Sequence, residues 1–258
     1  MLSGSDLALA GLAAAGAGMV NALAGGGTLI TFPTLVGLGI PEVTANVTNT
    51  VALCPGYIGG VIAQRRDLAG QKSRLFILIP ASIVGGLIGG FLLLFVSPRV
   101  FHFVVPFLIL LAATLLAVQD RVRDWVRIHT GHDRRDIDGS RSSIIPIGFS
   151  AVYGGYFGPG LSVIILAVLG LFLDDTLTRL NALKQCLSLA ANVAAAVYFL
   201  FSGLIIWPVA AIMAVGAIVG GTVGGRVAGS IDPAKLRWGI VAIGAAVGFY
   251  LLIGLFTG

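Results

Sequence analysis

Asn21-Ala22-Leu23-Ala24-Gly25-Gly26-Gly27-Thr28 and Tyr153-Gly154-Gly155-Tyr156-Phe157-Gly158-Pro159-Gly160 place helix-breaking glycine clusters inside hydrophobic segments, at matching points of the two halves of the chain. A paired interruption of hydrophobic segments is the sequence pointer to a transporter site built from discontinuous helices. The fold turns on one question. Each stretch is either a single bent span or a hairpin that enters and leaves by the same face.

Composition sets the surroundings. Of 258 residues, 57% are hydrophobic and 10% charged, and the mean hydropathy is +1.00. Apolar runs of roughly 20 residues, enough to cross a bilayer, recur along the chain. This is the profile of an all-α, polytopic membrane protein. Many further apolar runs follow the first, and no small-residue cleavage site stands out after it, so that run is expected to be retained as mature structure. Cys54 and Cys186 lie in apolar segments without a CxxC pattern or histidine partners. They read as packing residues, with no disulfide, metal site or cofactor expected.

The predicted segments are a glycine-split region over 7–39, spans over 45–63, 75–96 and 100–118, and a charged connector to 142. A second glycine-split region covers 144–172, followed by spans over 177–201, 207–225 and 235–256. A shift of 135 residues lays Asn46 on Asn181, Gly85-Gly86-Leu87-Ile88-Gly89-Gly90 on Gly220-Gly221-Thr222-Val223-Gly224-Gly225, and Pro98 on Pro233. A shift of 133 lays Gly25-Gly26-Gly27 on Gly158-Pro159-Gly160 and Gly37 on Gly170. The chain therefore divides into a first transmembrane repeat, 1–118, a cytoplasmic linker, 119–142, and a second repeat, 143–258. The GGxxGG pairs put small residues four apart on one helical face and are read as packing surfaces.

Basic residues flank membrane segments on the cytoplasmic side. With Lys184 set aside, single crossings at the split regions place ten basic residues inside and five outside, whereas hairpins place fourteen inside and only Arg99 outside. Length agrees with hairpins, because residues 7–39 as one straight helix would measure about 50 Å against a core of about 30 Å. Each half is then a broken-helix hairpin plus three spans, eight transmembrane segments in all when each hairpin counts once. An odd number of crossings per half makes the repeats inverted, the arrangement that supports alternating access around a midplane site.

Broken backbone at membrane depth is tolerated where it is buried in protein or lines a cavity. The two hairpin tips are expected to face such a cavity and to present the N-termini of their second arms, near Thr28 and Leu161, which favours a bound anion. Candidate substrate contacts at the first tip are Asn21, Gly25, Gly26, Gly27 and Thr28. At the second they are Tyr153, Tyr156, Gly158 and Gly160. The helices that follow add Asn46, Thr48 and Asn49, then Asn181, Lys184, Gln185 and Ser188, which recur at spacings of three and four and form one polar face. Lys184 either neutralises the anion or snorkels to the interface. Asn46 and Asn181 serve equally as interhelical glue, and the tyrosines, with Tyr57, as aromatic packing.

All eleven acidic residues fall at segment ends or in loops. That leaves no buried carboxylate to carry a cation and favours an anion path. The net charge of +5 comes from the cytoplasmic loops and calls for no nucleic-acid partner. Gly160-Leu161-Ser162 offers a serine without a histidine in the core, so the chain is not read as an enzyme. The expected partners are a small-molecule anion and the lipid bilayer, with a homodimer as the candidate assembly.

One set of residues adds a likeness. The hairpin leading through Pro33 to Gly37-Leu38-Gly39-Ile40-Pro41 and Ala45-Asn46-Val47-Thr48, with Arg179-Leu180-Asn181-Ala182-Leu183-Lys184 in the second half, resembles the TauE/SafE family of sulfite exporters, also called toluenesulfonate uptake permeases. The likeness spans nearly the whole chain. It implies a carrier in a bacterial or archaeal cytoplasmic (inner) membrane for small sulfur-containing anions or organosulfur compounds, such as sulfite, sulfonates, sulfoacetate or hypotaurine-like molecules, or for other small organic anions. A passive anion channel is the alternative. Pro159 departs from an all-glycine tip and removes one N–H donor there.

Overall fold

The computed structural model describes residues 2–23, 26–129, 137–227 and 233–257, without the side chains of 22, 23, 63, 137, 138, 224–227, 233 and 257. The described residues form helices and no strand. The first half contains α1 (Gly4–Leu23), α2 (Thr28–Gly37), α3 (Glu42–Ala63), α4 (Lys72–Phe95) and α5 (Pro98–Ala117), with a short 3-10 turn at Arg65–Leu68. Next come α6 (Gln119–His129) and α7 (Ile137–Ser142). The second half contains α8 (Ile144–Tyr156), α9 (Leu161–Phe172), α10 (Leu177–Phe199), α11 (Trp207–Val227) and α12 (Pro233–Thr257).

Both glycine-split regions are helical pairs, α1–α2 and α8–α9. Four described stretches are long and apolar enough to cross a bilayer: Lys72–Phe95, Pro98–Ala117, Leu177–Phe199 and Ala234–Phe256. α3 matches them in length but carries Asn46, Thr48, Asn49 and Thr50 in its first half, so it is less apolar. Large apolar side chains such as Phe76, Phe95, Phe249 and Phe256 stand exposed on the outside of the bundle. In a bilayer that surface is solvated by lipid, and the chain is an all-α polytopic membrane protein.

The two halves interlock. α4 lies against α8 and α10, and α11 lies against α1 and α3. The glycines explain how closely. A methyl group on Gly85 would meet the Gly148 carbonyl, and one on Gly220 would meet the Ala15 carbonyl. Gly220 and Ala15 are the counterparts of Gly85 and Gly148 under the sequence shifts, so one backbone contact is made twice with the halves exchanged. Gly86 and Gly89 extend it against Ala191 and Val152. Such small-residue faces let helix backbones approach where lipid offers no hydrophobic drive to association.

Ionic contacts mark the ends of the bundle. At one end Arg74 pairs with Asp175, which also accepts from Arg179 Nε at 2.8 Å. Gln71 Nε2 donates to the Arg179 carbonyl at 3.0 Å, and Arg237 pairs with Asp120. At the other end of α3, Glu42 faces His102 at 2.6 Å. The first hairpin runs into α3 at the Glu42 end, and the second runs into α10 at the Arg74 end.

The stretch 119–142 differs from expectation. Its described residues, 119–129 and 137–142, form helices where the sequence predicts a connector. α6 is amphipathic: Val122, Trp125 and Val126 recur at helical spacing, and Val126 is buried against Gly170 of α9. That packing fixes α6 across the basic end of the bundle.

Candidate functional site

The first tip is held from within. Gly27 N–H donates to Asn21 Oδ1 at 2.8 Å, so a side-chain amide of α1 satisfies a donor in the break before α2. Gly26 takes φ +89°, a left-handed conformation open to glycine. Gly27 approaches the Ala17 backbone too closely for any Cβ. Gly25 lies outside the described residues. In the second tip, Gly158 and Gly160 take φ +94° and +82°, and Tyr153 Oη donates to the Pro159 carbonyl at 2.5 Å. Pro159 thus removes a donor, and its own acceptor is filled within the tip. Among the described residues the backbone N–H groups of Thr28 and Ser162, at the starts of α2 and α9, find no acceptor.

The tips border a cavity of about 630 Å³. Asn21, Gly26 and Thr28 line it from the first hairpin, and Gly158, Gly160 and Ser162 from the second. α10 presents Asn181, Lys184, Gln185 and Ser188 along one face, as their spacing predicts. Lys184 is 9% exposed, and its Nζ donates to Asn181 Oδ1 at 3.0 Å. Ser188 Oγ is buried and has no hydrogen-bond partner among the described residues. Tyr57 of α3 and Gln64, just after its end, also line the cavity.

Other predicted contacts stand behind the cavity. Asn46 Nδ2 donates to the Tyr156 carbonyl at 2.8 Å, and Thr48 Oγ1 accepts from Ile206 N–H at 3.1 Å. Gly27, Tyr153 and Tyr156 likewise do not line the cavity; the Tyr156 ring packs edge-on against Phe101. Asn49 borders a separate void of about 10 Å³ beside Thr28, Tyr57, Gly158 and Asn192. Phe32 meets Phe157 edge-on, centroids 5.3 Å apart. The cavity lining reaches the basic end at Gln64, Asp67, Gln119 and Arg123.

Gln119 and Arg123 come from α6 and escape the sequence reading because 119–142 reads as a connector. The apolar spacing of Val122, Trp125 and Val126 is the available signal. The Arg123 guanidinium lies within electrostatic reach of Lys184. Asp67 is the acidic residue of the lining, at the mouth. Among the described residues no group of three or more His, Cys, Asp or Glu side chains could hold a metal ion, and neither His nor Cys lines the cavity. The arrangement offers amide and hydroxyl donors, two cations and two helix N-termini, which together suit a small anion.

Fold and cavity together define a polytopic membrane protein with a polar, cation-bearing chamber between two broken helices. The chain belongs to the TauE/SafE family of sulfite exporters, a family of membrane transporters, whose model matches residues 10–251. It is 25% identical over 200 residues to the probable membrane transporter protein YfcA of Escherichia coli K12, covering 78% of this chain and 72% of that one. A probable membrane transporter protein of Haemophilus influenzae is 28% identical over 208 residues, covering 79% and 77% of the two chains. The probable membrane transporter protein ORF9 of a Sinorhizobium species is 27% identical over 202 residues, covering 78% and 74%. No solved structure matches the chain.

Proposed function

We propose that the protein is a secondary carrier of small sulfur-containing oxyanions or organosulfonates, working by alternating access in a bacterial or archaeal cytoplasmic membrane. The observation that carries this reading is Lys184, a buried ammonium lining the cavity onto which the starts of α2 and α9 open. An anion there balances a charge that is costly at membrane depth. Sulfur-containing substrates follow from the family.

Residues 1–118 and 143–258 act as inverted repeats joined by 119–142. The exchanged α4–α8 and α11–α1 contacts support this, as do the hairpins' approaches from opposite ends. The cavity reaching the basic end corresponds to an inward-open state, and rocking of the repeats would expose it on the other side. An inside-negative potential drives an anion outward by about 2.3 kcal/mol per charge per 100 mV, so export is the expected direction.

The test is flux into proteoliposomes with sulfite, sulfate, taurine, hypotaurine, acetate and alkyl sulfonates. Saturable counterflow of a sulfur oxyanion, weakened in Lys184→Gln, supports the carrier. Non-saturating flux without counterflow would make it a channel. Unchanged kinetics in Lys184→Gln would remove Lys184 from the site.

A further inference from the structure

We propose that Arg123 on α6 is a second anion-binding cation of the cavity, one that selects oxyanions presenting two oxygens, and that the Arg237–Asp120 ion pair keeps it available. This rests on the carrier reading above and extends it to a helix that the repeats do not contain.

Arg123 lines the same cavity as Lys184. Its natural partner is Asp120, one turn earlier on α6, a spacing at which opposite charges pair on a helix. That partner is taken. Both Asp120 oxygens face the Arg237 guanidinium, with Nη1 donating to Oδ1 at 2.5 Å and Nη2 to Oδ2. Arg237 is buried and Asp120 half-exposed, so α12 reaches out to hold the carboxylate. Among the described residues Arg123 has no ion pair, and its Nε is buried without an acceptor.

A guanidinium presents its donors as a rigid fork. It matches carboxylate, sulfonate or sulfite oxygens two at a time, a geometry that an ammonium lacks. Lys184 supplies a point charge deeper in the cavity and Arg123 a fork at its mouth. A spherical anion such as chloride satisfies the first but gains little from the second. Val126, buried against Gly170, fixes the rotation of α6 that turns Arg123 inward.

The experiment measures saturation of sulfite and methanesulfonate flux in proteoliposomes, with chloride as competitor. Thermal unfolding and gel filtration confirm that each variant is folded. Arg123→Gln is expected to raise the half-saturating sulfite concentration roughly tenfold to a hundredfold while narrowing discrimination against chloride. Arg123→Lys, which keeps the charge and loses the fork, should fall between. Arg237→Gln is expected to weaken binding in the same way, because the freed Asp120 then captures Arg123. Asp120→Asn in that background should restore affinity to within about threefold of the wild type. A merely structural ion pair would leave the double variant at least as impaired as the single one.

If Arg123→Gln leaves affinity and selectivity unchanged while Lys184→Gln loses both, the assignment of Arg123 is wrong and the carrier reading stands. If neither substitution alters saturation, the cavity is not the substrate site and both readings fall.

Discussion

Asn46 on α3 and Tyr156 at the last turn of α8 lie 110 residues apart in the chain and are joined by a hydrogen bond of 2.8 Å from the Asn46 amide to the Tyr156 carbonyl. A helix C-terminus leaves carbonyls unsatisfied, and inside a membrane water cannot fill the gap. The first half therefore caps a broken helix of the second.

Asn46→Ala removes that donor. The expected cost is about 1–2 kcal/mol of stability, read as an earlier thermal transition of the detergent-solubilised protein. Loosening the second tip should also lower transport. A transition unchanged from the wild type would mean that the Tyr156 carbonyl finds another donor.

Tyr153→Phe and Tyr156→Phe separate two tyrosines of the same tip. The Tyr153 hydroxyl closes the turn on the Pro159 carbonyl, so its loss is expected to cost about 1 kcal/mol and to weaken substrate saturation. Tyr156→Phe keeps the ring against Phe101 and the carbonyl that Asn46 caps, and should behave as wild type. Equal effects in flux and melting measurements would contradict the distinction.

Gly85→Ala and Gly220→Ala test the exchanged helix contact. Each added methyl meets a backbone carbonyl of the opposite half, so each should destabilise the protein by about 1–3 kcal/mol. Gly254, where an added methyl would meet nothing within 4 Å, is the control, and Gly254→Ala should stay within about 0.5 kcal/mol. Thermal melts of the three variants side by side give the comparison.

Asp175 links the two halves at the basic end through Arg74 and Arg179. Burial pushes its carboxyl up, but hydrogen bonds from Arg179, Arg74 and the Thr176 N–H, with the charge of Arg179, outweigh that and hold it below its ordinary value. A carboxyl depressed in the folded state contributes stability that is fully present above its unfolded value of about 3.9 and is lost as pH falls through the folded value. Melting curves from pH 7 down to pH 3 should therefore converge for the wild type and Asp175→Asn, the wild type being the more stable near neutrality. Parallel curves would show that the carboxyl is not depressed.

Much of the architecture was legible in the chain. Apolar run length gave the helices, and the glycine clusters gave the breaks between α1 and α2 and between α8 and α9. The repeat shift made Gly85 and Gly220 counterparts, and the small residues four apart marked both helix faces for close approach, against Gly148 and Ala15. The polar face Asn181, Lys184, Gln185 and Ser188 was also legible, since the 3.6-residue period alone groups it. Asn46 and Thr48 were not separable from it by such reasoning: polarity at membrane depth says that a side chain needs a partner, not whether that partner is a ligand or a carbonyl of another helix.

The sequence by itself determined that this protein crosses the membrane repeatedly and breaks its helices at two matched places, because hydropathy and glycine content act through local chain physics. Tertiary structure alone decided what the breaks enclose. The tips, Lys184 and Arg123 come together only when α10 and α6 pack across the opening, and Asp120 goes to Arg237 rather than Arg123 because α12 brings a buried guanidinium beside it. Which charge is left to face the cavity depends on that long-range competition, which no local pattern encodes.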